Sequence, residues 1–422
     1  MHFLHIYFNP IKLETGEIYH HIIYLIKSHA STKDKVIIVG LSITNKYEVV
    51  RYYKNIILVL LPIIGDERSF FRIIKNLMNV HKVVLYLLKI FKPDIIFLHH
   101  FPLSFLAPVY KLISPKTYFV KKYYGTLIYG LIRTVENKSG KIKIILRVLP
   151  ELISYVLPPT DLLLMLDDGT QGYKICNLLK IKKYVVVPQV YYTDVIPEVI
   201  IEDSFTKIKL CETLGIHLSE SKISKLFIVL YVARLDSWKR IDRFLIVAAK
   251  TLMLFKKVES SKSSTPFLLF VIAGGGKLIN KYRSLVKKLG LANNIIFLGN
   301  IERQKLKILL SVADLYLCMY DHSCVGIATT EAMASGICTI AIDTGDTKRL
   351  LEGGAIIVDS KKAEDEIPSI IMKLFYTPKN RLEWSERAKK HVNVHFLEPE
   401  IYWDYILLIT KNKLLRVTKF KF

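Results

Sequence analysis

Five apolar runs punctuate the second half of the chain: Leu226–Ala233, Phe267–Ala273, Ile295–Leu298, Leu315–Met319 and Ile337–Ile342. Each reads as a strand buried on both faces, and the stretches between them at 241–255 and 281–289 carry the helical period. Alternation of this kind confines a chain to parallel α/β sheets, where ligands collect beyond the carboxyl ends of the strands. The loops leaving those strands are therefore where function is sought.

Three of the loops carry chemistry. After Leu315–Met319 comes Tyr320-Asp-His-Ser-Cys-Val-Gly326, and a helix opens near Ile327. A glycine there lets backbone N–H groups approach an anion, and the positive end of the helix dipole faces the same point. One turn further in, Glu331 can accept hydrogen bonds from ribose hydroxyls. Arg234, at the end of the first strand, and Lys239, just before the next helix, add two cations suited to a multiply charged leaving group. Gly274-Gly-Gly276 makes a glycine turn after the Phe267 strand, and the backbone of Leu298 and Gly299 ends a strand where it can hydrogen-bond a base. Singly, each is an ordinary feature of an α/β protein. In this order they describe a cradle for a nucleotide diphosphate.

The matching residues in 226–358 are Ala233-Arg234 with Lys239, Ala273-Gly-Gly-Gly276, Phe297-Leu-Gly299, Ala313-Asp314, and Gly326 followed by Glu331-Ala-Met-Ala-Ser-Gly336. Together they resemble the C-terminal half of a retaining GT-B glycosyltransferase of group 1 (family 4). The resemblance implies two Rossmann-like domains facing across a cleft. It also implies a nucleotide-sugar donor, Arg234 and Lys239 on the diphosphate, Glu331 on the ribose, and retention of configuration with the acceptor proton passing to the departing phosphate. Much of that family has a glutamate where this chain has Ser323. The branch with a Ser-Asn-Val-Gly-like loop is closer, and there the sugar contacts fall to Ser323 and the backbone of Cys324, Val325 and Gly326.

At 422 residues and 51% apolar content, with few prolines and glycines, the chain fits two α/β domains. The expected division is 1–197, a polar linker at 198–224, and 225–397. By the same resemblance a final helix, about 398–422, crosses back to the first domain. Strands are expected at Phe3–Phe8, Val36–Val39, Ile56–Leu61, Ile95–His99, Thr117–Val120, Leu162–Leu166 and Val185–Pro188, with helices near 17–29, 69–91 and 171–179. The loop around Gly16 resembles the family's N-terminal glycine loop facing the diphosphate. Tyr124-Gly125-Thr126 stands where relatives often place a histidine near the acceptor, and His99 is a neighbouring candidate. Asp168-Gly-Thr170 reads first as a helix cap and second as an acceptor contact. Five scattered cysteines suit a reducing compartment. Of these, Cys324 reads as a polar lining residue of the donor loop.

The formal charge of +24 is concentrated, with fifteen Lys or Arg between Arg68 and Arg147 against Asp94 and Glu136. Arg72, Lys75, Asn79, Lys82, Tyr86 and Lys89 form a polar stripe on the apolar helix 70–92. That stripe suits either an anionic bilayer surface or the solvated face of a core helix. No stretch reaches the roughly 20 apolar residues of a membrane span, and the first residues lack a basic signal-peptide start. The expectation is a cytoplasmic protein, peripheral on the membrane, whose acceptor is a saccharide, lipid-linked or glycolipid in kind. No Asp-x-Asp triplet occurs, so neither a metal nor a cofactor is expected in the donor site. A nucleic-acid-binding protein would explain the charge but not the ordered series of Arg234, Lys239, Gly326 and Glu331. A dinucleotide oxidoreductase would need a glycine fingerprint after the first strand, which is missing. A non-catalytic relative of the glycosyltransferases remains the main rival, motivated by Ser323 and Tyr124.

Overall fold

In the computed structural model, residues 1–11, 17–42, 46–64, 70–126, 128, 141–201, 204–216, 226–259 and 267–419 are described. They divide into two units, Met1–Asp167 with Gln171–Pro188 and Pro399–Phe422, and Asp168–Thr170 with Gln189–Glu398.

The first unit runs β1 (His2–Ile11), α1 (Glu17–Ala30), β2 (Lys35–Ser42), β3 (Glu48–Tyr53), β4 (Ile56–Pro62), α2 (Phe70–Ile90), β5 (Ile95–His99) and α3 (Ala107–Ile113). It continues with β6 (Tyr118–Tyr123), α4 (Lys141–Val156), β7 (Leu162–Asp167), α5 (Gly172–Leu178) and β8 (Tyr184–Pro188). Its sheet has the order β3-β4-β2-β1-β5-β6-β7-β8, parallel except where β3 pairs antiparallel with β4. Every strand expected from an apolar run forms. The edge strand β3 was not expected, because its residues alternate between half-buried and exposed and so lack a uniform run. Nor was α4, whose pattern is interrupted by Pro150.

α2 buries Val80, Val84, Leu87 and Leu88 against β-strand residues such as Leu4, Val39 and Leu98. Lys75, Lys82 and Lys89 are exposed on it. Ile73, Ile74, Met78 and Tyr86 are exposed too, so the outer face is basic and apolar together rather than a clean polar stripe. The side chain of Arg72 lies outside the described residues.

The second unit runs α6 (Ser204–Thr213), β9 (Leu226–Val232), α7 (Ile241–Glu259), β10 (Phe267–Ala273), α8 (Ile279–Lys288), β11 (Ile295–Gly299), α9 (Arg303–Val312) and β12 (Leu315–Cys318). Then come α10 (Ile327–Ala334), β13 (Cys338–Asp343), α11 (Thr347–Leu351), β14 (Ile356–Asp359), α12 (Ala363–Tyr376) and α13 (Pro378–His395). All strands are parallel in the order β11-β10-β9-β12-β13-β14. The chain winds outward from β9 in one direction and from β12 in the other. Between these two strands the order reverses, and such a switch point opens a crevice at the carboxyl ends.

The first unit ends at Pro188, earlier than the sequence suggests, and residues 189–216 belong to the second. They are folded into it rather than forming a bare linker: on α6, Lys207 donates to Asp314 at 2.7 Å, both side chains buried. Residues 217–225 lie outside the described residues. The last helix, α14 (Pro399–Lys419), belongs to the first unit and packs on α1. Its Lys411 donates to Asp34 at 2.7 Å, and its Trp403 is fully buried. Among the described residues no helix is long and apolar enough to cross a membrane.

Candidate functional site

At the switch point the residues leaving β9 meet those leaving β12. Just beyond β12, the Tyr320 hydroxyl donates to Val232 O at 2.7 Å, fixing the ring against β9. Lys239 lies in a 3-10 turn, Ser237–Lys239, and its Nζ sits 3.5 Å from the Tyr320 ring centroid and 3.9 Å from that of Trp238. On the loop side, a Cβ added at Gly326 would come within 3.8 Å of the same Tyr320 ring. An ammonium and the start of α10 thus both lie against this ring. Asp321 N–H donates to Trp238 O at 2.9 Å, while Arg240 donates to both Asp242 and Asp321, locking the two loops together. Burial works against the Arg240 charge, but the two carboxylates outweigh it and hold the guanidinium above its ordinary value.

The loop before α10 is tied to distant segments of the second unit. Ser323 Oγ donates to Asp168 O at 2.7 Å and accepts from Val325 N–H at 3.1 Å. Cys324 N–H donates to Thr347 Oγ1, and Val325 O accepts from Gln189 Nε2 at 3.0 Å. Of the groups expected to meet a sugar, the Ser323 hydroxyl and the N–H groups of Cys324 and Val325 are therefore engaged by protein partners. The Cys324 side chain is buried beside Cys318 and Thr344, so only its backbone can face a ligand. Gly326, Ile327 and Ala328, by contrast, have N–H groups with no acceptor among the described residues, as the first turn of a helix leaves them.

Glu331 is one turn in, its side chain only 3% exposed. Its Oε1 accepts from Arg303 Nη2 at 2.9 Å, and Arg303 also grips Asp194 at 2.6 and 2.5 Å. Burial disfavours the Arg303 charge, yet Asp194 and Glu331 outweigh it and push its pKa further up. Arg234 points outward, its side chain 75% exposed and its Nε 3.7 Å from Asp236. Lys239 and Gly326 are thus brought to one ring, whereas Arg234 is held beside its own loop.

Gly274 has φ +128°, and a side chain there would overlap the carbonyl oxygen of Ala233. Its N–H donates to Gly299 O at 2.7 Å, and Leu235 N–H donates to Gly275 O at 2.9 Å. The glycine turn is needed so that the segment bearing Arg234 can lie directly against it. Leu298 and Gly299 end β11 beside that turn, both partly exposed.

The acceptor-side candidates turn inward. His99 is buried, with Nδ1 2.9 Å from the Tyr124 hydroxyl and Nε2 3.2 Å from His5 Nδ1. Thr126 donates to Glu151 at 2.6 Å, and Gly125, between Tyr124 and Thr126, has φ +107°. Asp168 does not cap α5. Its Oδ1 accepts from the N–H and hydroxyl of Thr170, while Gln171 holds the cap position in the left-handed region, its side chain not capping the helix. Gly16 lies outside the described residues.

Tyr320, Arg303, Asp194 and Gln189 were not singled out from the sequence. Arg303 left one signal, a cation in the first turn of a helix, where the dipole disfavours it unless carboxylates stand near.

The family described as Glycosyl transferases group 1 matches residues 216–391. A comparison with curated proteins finds no match. Among solved structures, sucrose-phosphate synthase from Thermosynechococcus elongatus aligns with TM-score 0.74 at 13% identity, over 97% of this chain and 98% of its own. WaaG, a glycosyltransferase involved in lipopolysaccharide biosynthesis, aligns with TM-score 0.67 at 16% identity, over 95% and 99%. HepE of Anabaena, in complex with UDP-glucose, gives 0.63 at 12%, over 97% and 99%. The chain therefore has the two-domain α/β GT-B fold, and residues 216–391 of it are similar to the group 1 glycosyl transferases.

Proposed function

We propose that this protein transfers a sugar from a nucleotide-diphosphate donor to an acceptor hydroxyl with retention of configuration, a hexosyltransferase-type reaction that needs no metal. One observation carries the reading: at the strand reversal, Lys239 and the start of α10 stand against the same Tyr320 ring. Solved HepE structures with UDP and with UDP-glucose share the fold and support a nucleotide-sugar partner.

In this reading the N–H groups of Gly326, Ile327 and Ala328 receive the diphosphate, with Lys239 and Arg234 neutralising it. Glu331 holds the ribose, the ends of β10 and β11 at Gly274, Leu298 and Gly299 frame the base, and the loop of Ser323, Cys324 and Val325 gives the sugar its wall. As the bond from the anomeric carbon to the phosphate oxygen breaks, charge gathers on that oxygen, and donors directed at it stabilise the transition state more than the ground state. The acceptor oxygen bonds from the face the phosphate leaves, and its proton passes to the departing phosphate. No protein base is then required.

The acceptor is a lipid-linked saccharide or glycolipid, and the protein works from the cytoplasmic face of a membrane. Supporting this, α2 presents Lys75, Lys82 and Lys89 beside exposed Ile73, Ile74 and Met78, a mixed face that suits an anionic interface. Thermal shifts with UDP-, GDP- and ADP-sugars test the donor site. A ligand at a hundred times its Kd stabilises by about 2.7 kcal/mol, and silence across all three overturns the reading. A second reading is favoured by Ser323, whose hydroxyl is engaged by Asp168 O and Val325 N–H. There the chain binds the nucleotide sugar without turning it over. Binding with neither hydrolysis nor transfer over a broad acceptor panel would select it.

A further inference from the structure

The segment that leads the chain into the second unit touches α10 and its loop at two points and reaches α10 at a third through Arg303 of α9. Gln189 donates to Val325 O at 3.0 Å, and Thr330 Oγ1 donates to Val190 O at 3.3 Å. The third contact is ionic: Asp194, in the short turn Thr193–Val195, grips Arg303 through two nitrogens at 2.6 and 2.5 Å, and Arg303 Nη2 reaches Glu331 at 2.9 Å. The Tyr192 ring stands 5.3 Å from the same guanidinium.

A carboxylate as enclosed as Glu331 is costly to keep charged without a paired cation, and Arg303 supplies one through a planar, directional fork. Arg303 in turn begins α9, where the helix dipole opposes a cation. The charge is kept there by two carboxylates from different parts of the chain, each more than twenty residues away in sequence. Fixed from behind by Asp194, the guanidinium has little freedom, and that rigidity passes to the Glu331 oxygen it holds.

We infer that Asp194 and Arg303 are a positioning pair that holds the Glu331 carboxylate in register with the vicinal hydroxyls of the donor's ribose, and so sets a preference for ribonucleotides. This rests on the ribose role of Glu331 proposed above. A purely structural staple between residues 193–195 and α9 would make a different prediction, because its loss would weaken every ligand of the site alike.

Calorimetric titration with UDP, GDP and ADP finds the diphosphate that the unmodified chain binds most tightly, and the 2′,3′-dideoxy form of that diphosphate is then titrated beside it. The expected result is that Arg303→Met and Asp194→Asn weaken the ribonucleotide about tenfold, Arg303→Lys less, while affinity for the dideoxy form stays at the unmodified chain's value. Equal weakening of both forms, or no weakening of either, overturns the positioning role. Should Arg303→Met fail to fold, the near-isosteric Asp194→Asn and the charge-keeping Arg303→Lys decide the matter by the same two affinities. If the unmodified chain binds no diphosphate, or binds both forms alike, the ribose reading of Glu331 fails and this inference with it. That outcome is visible before any variant is made.

Discussion

Lys122 is buried in the first unit, its Nζ 3.7 Å from the Trp403 ring centroid and 4.5 Å from that of Tyr402, with no hydrogen-bond partner among the described residues. Burial pushes its pKa well below that of an ordinary lysine. The aromatic faces favour the charged form by about 2 kcal/mol, less than the several kcal/mol that an unpaired buried charge costs, so burial wins. Between the lowered folded pKa and the unfolded value near 10.4 the unfolded chain binds more protons, so stability rises with pH over that range. Urea unfolding at a series of pH values should show that rise in the wild type. Lys122→Met should flatten it and add about 1–2 kcal/mol at pH 7. Lys239 belongs to the chemistry instead. Lys239→Ala should lower kcat on the order of a hundredfold, as loss of one charge-stabilising donor does, with little change in melting temperature. Unchanged steady-state kinetics would remove Lys239 from the mechanism.

Among elements, what was legible followed from uniformity. β5 and β10 fall where the apolar runs place them because a doubly covered strand has no polar position to blur its ends. The edge strand β3 alternates, and α4 carries Pro150 in its interior, so neither has a clean signature. α2 was half legible. Its lysines were visible, but Ile73, Ile74 and Met78 read as core until the fold left them outside. If that face meets a membrane, each lysine near an anionic surface contributes about 1 kcal/mol. The triple change Lys75→Glu, Lys82→Glu and Lys89→Glu should cut sedimentation with phosphatidylserine vesicles on the order of a hundredfold while leaving nucleotide affinity alone. Equal vesicle binding by both proteins would make the face an ordinary solvated one.

At the scale of the molecule, the parts that the sequence concealed are contacts between distant segments. The residues of the β9 and β12 loops could be named in advance because each follows its own strand. Asp194, Arg303 and Glu331 could not be grouped, since no spacing rule joins a turn, a helix start and a second helix. The tie between α14 and the first unit is of the same kind. Burial works against ionisation of Asp34, but His29 3.9 Å away and hydrogen bonds from Lys411 and the N-terminal ammonium outweigh it and hold its carboxyl far below the usual range. A depressed folded pKa gives stability that is present above the unfolded value near 3.9 and is lost as pH falls through the folded one. Asp34→Asn should therefore cost about 2 kcal/mol at pH 7, and the gap to wild type should narrow as pH drops below about 4 in chemical denaturation. A constant gap down to pH 2 would show that charge is not the source.

The return of α14 to the first unit also sets an order of events during synthesis. Nearly all of the second unit is one uninterrupted stretch, Gln189–Glu398, and it can close as soon as it leaves the ribosome. The first unit begins earlier but must wait. Until Trp403 and Lys411 arrive, the slot that holds them stays open to water, with Lys122 and Asp34 at its wall. The half of the chain made first is thus the half that finishes folding last.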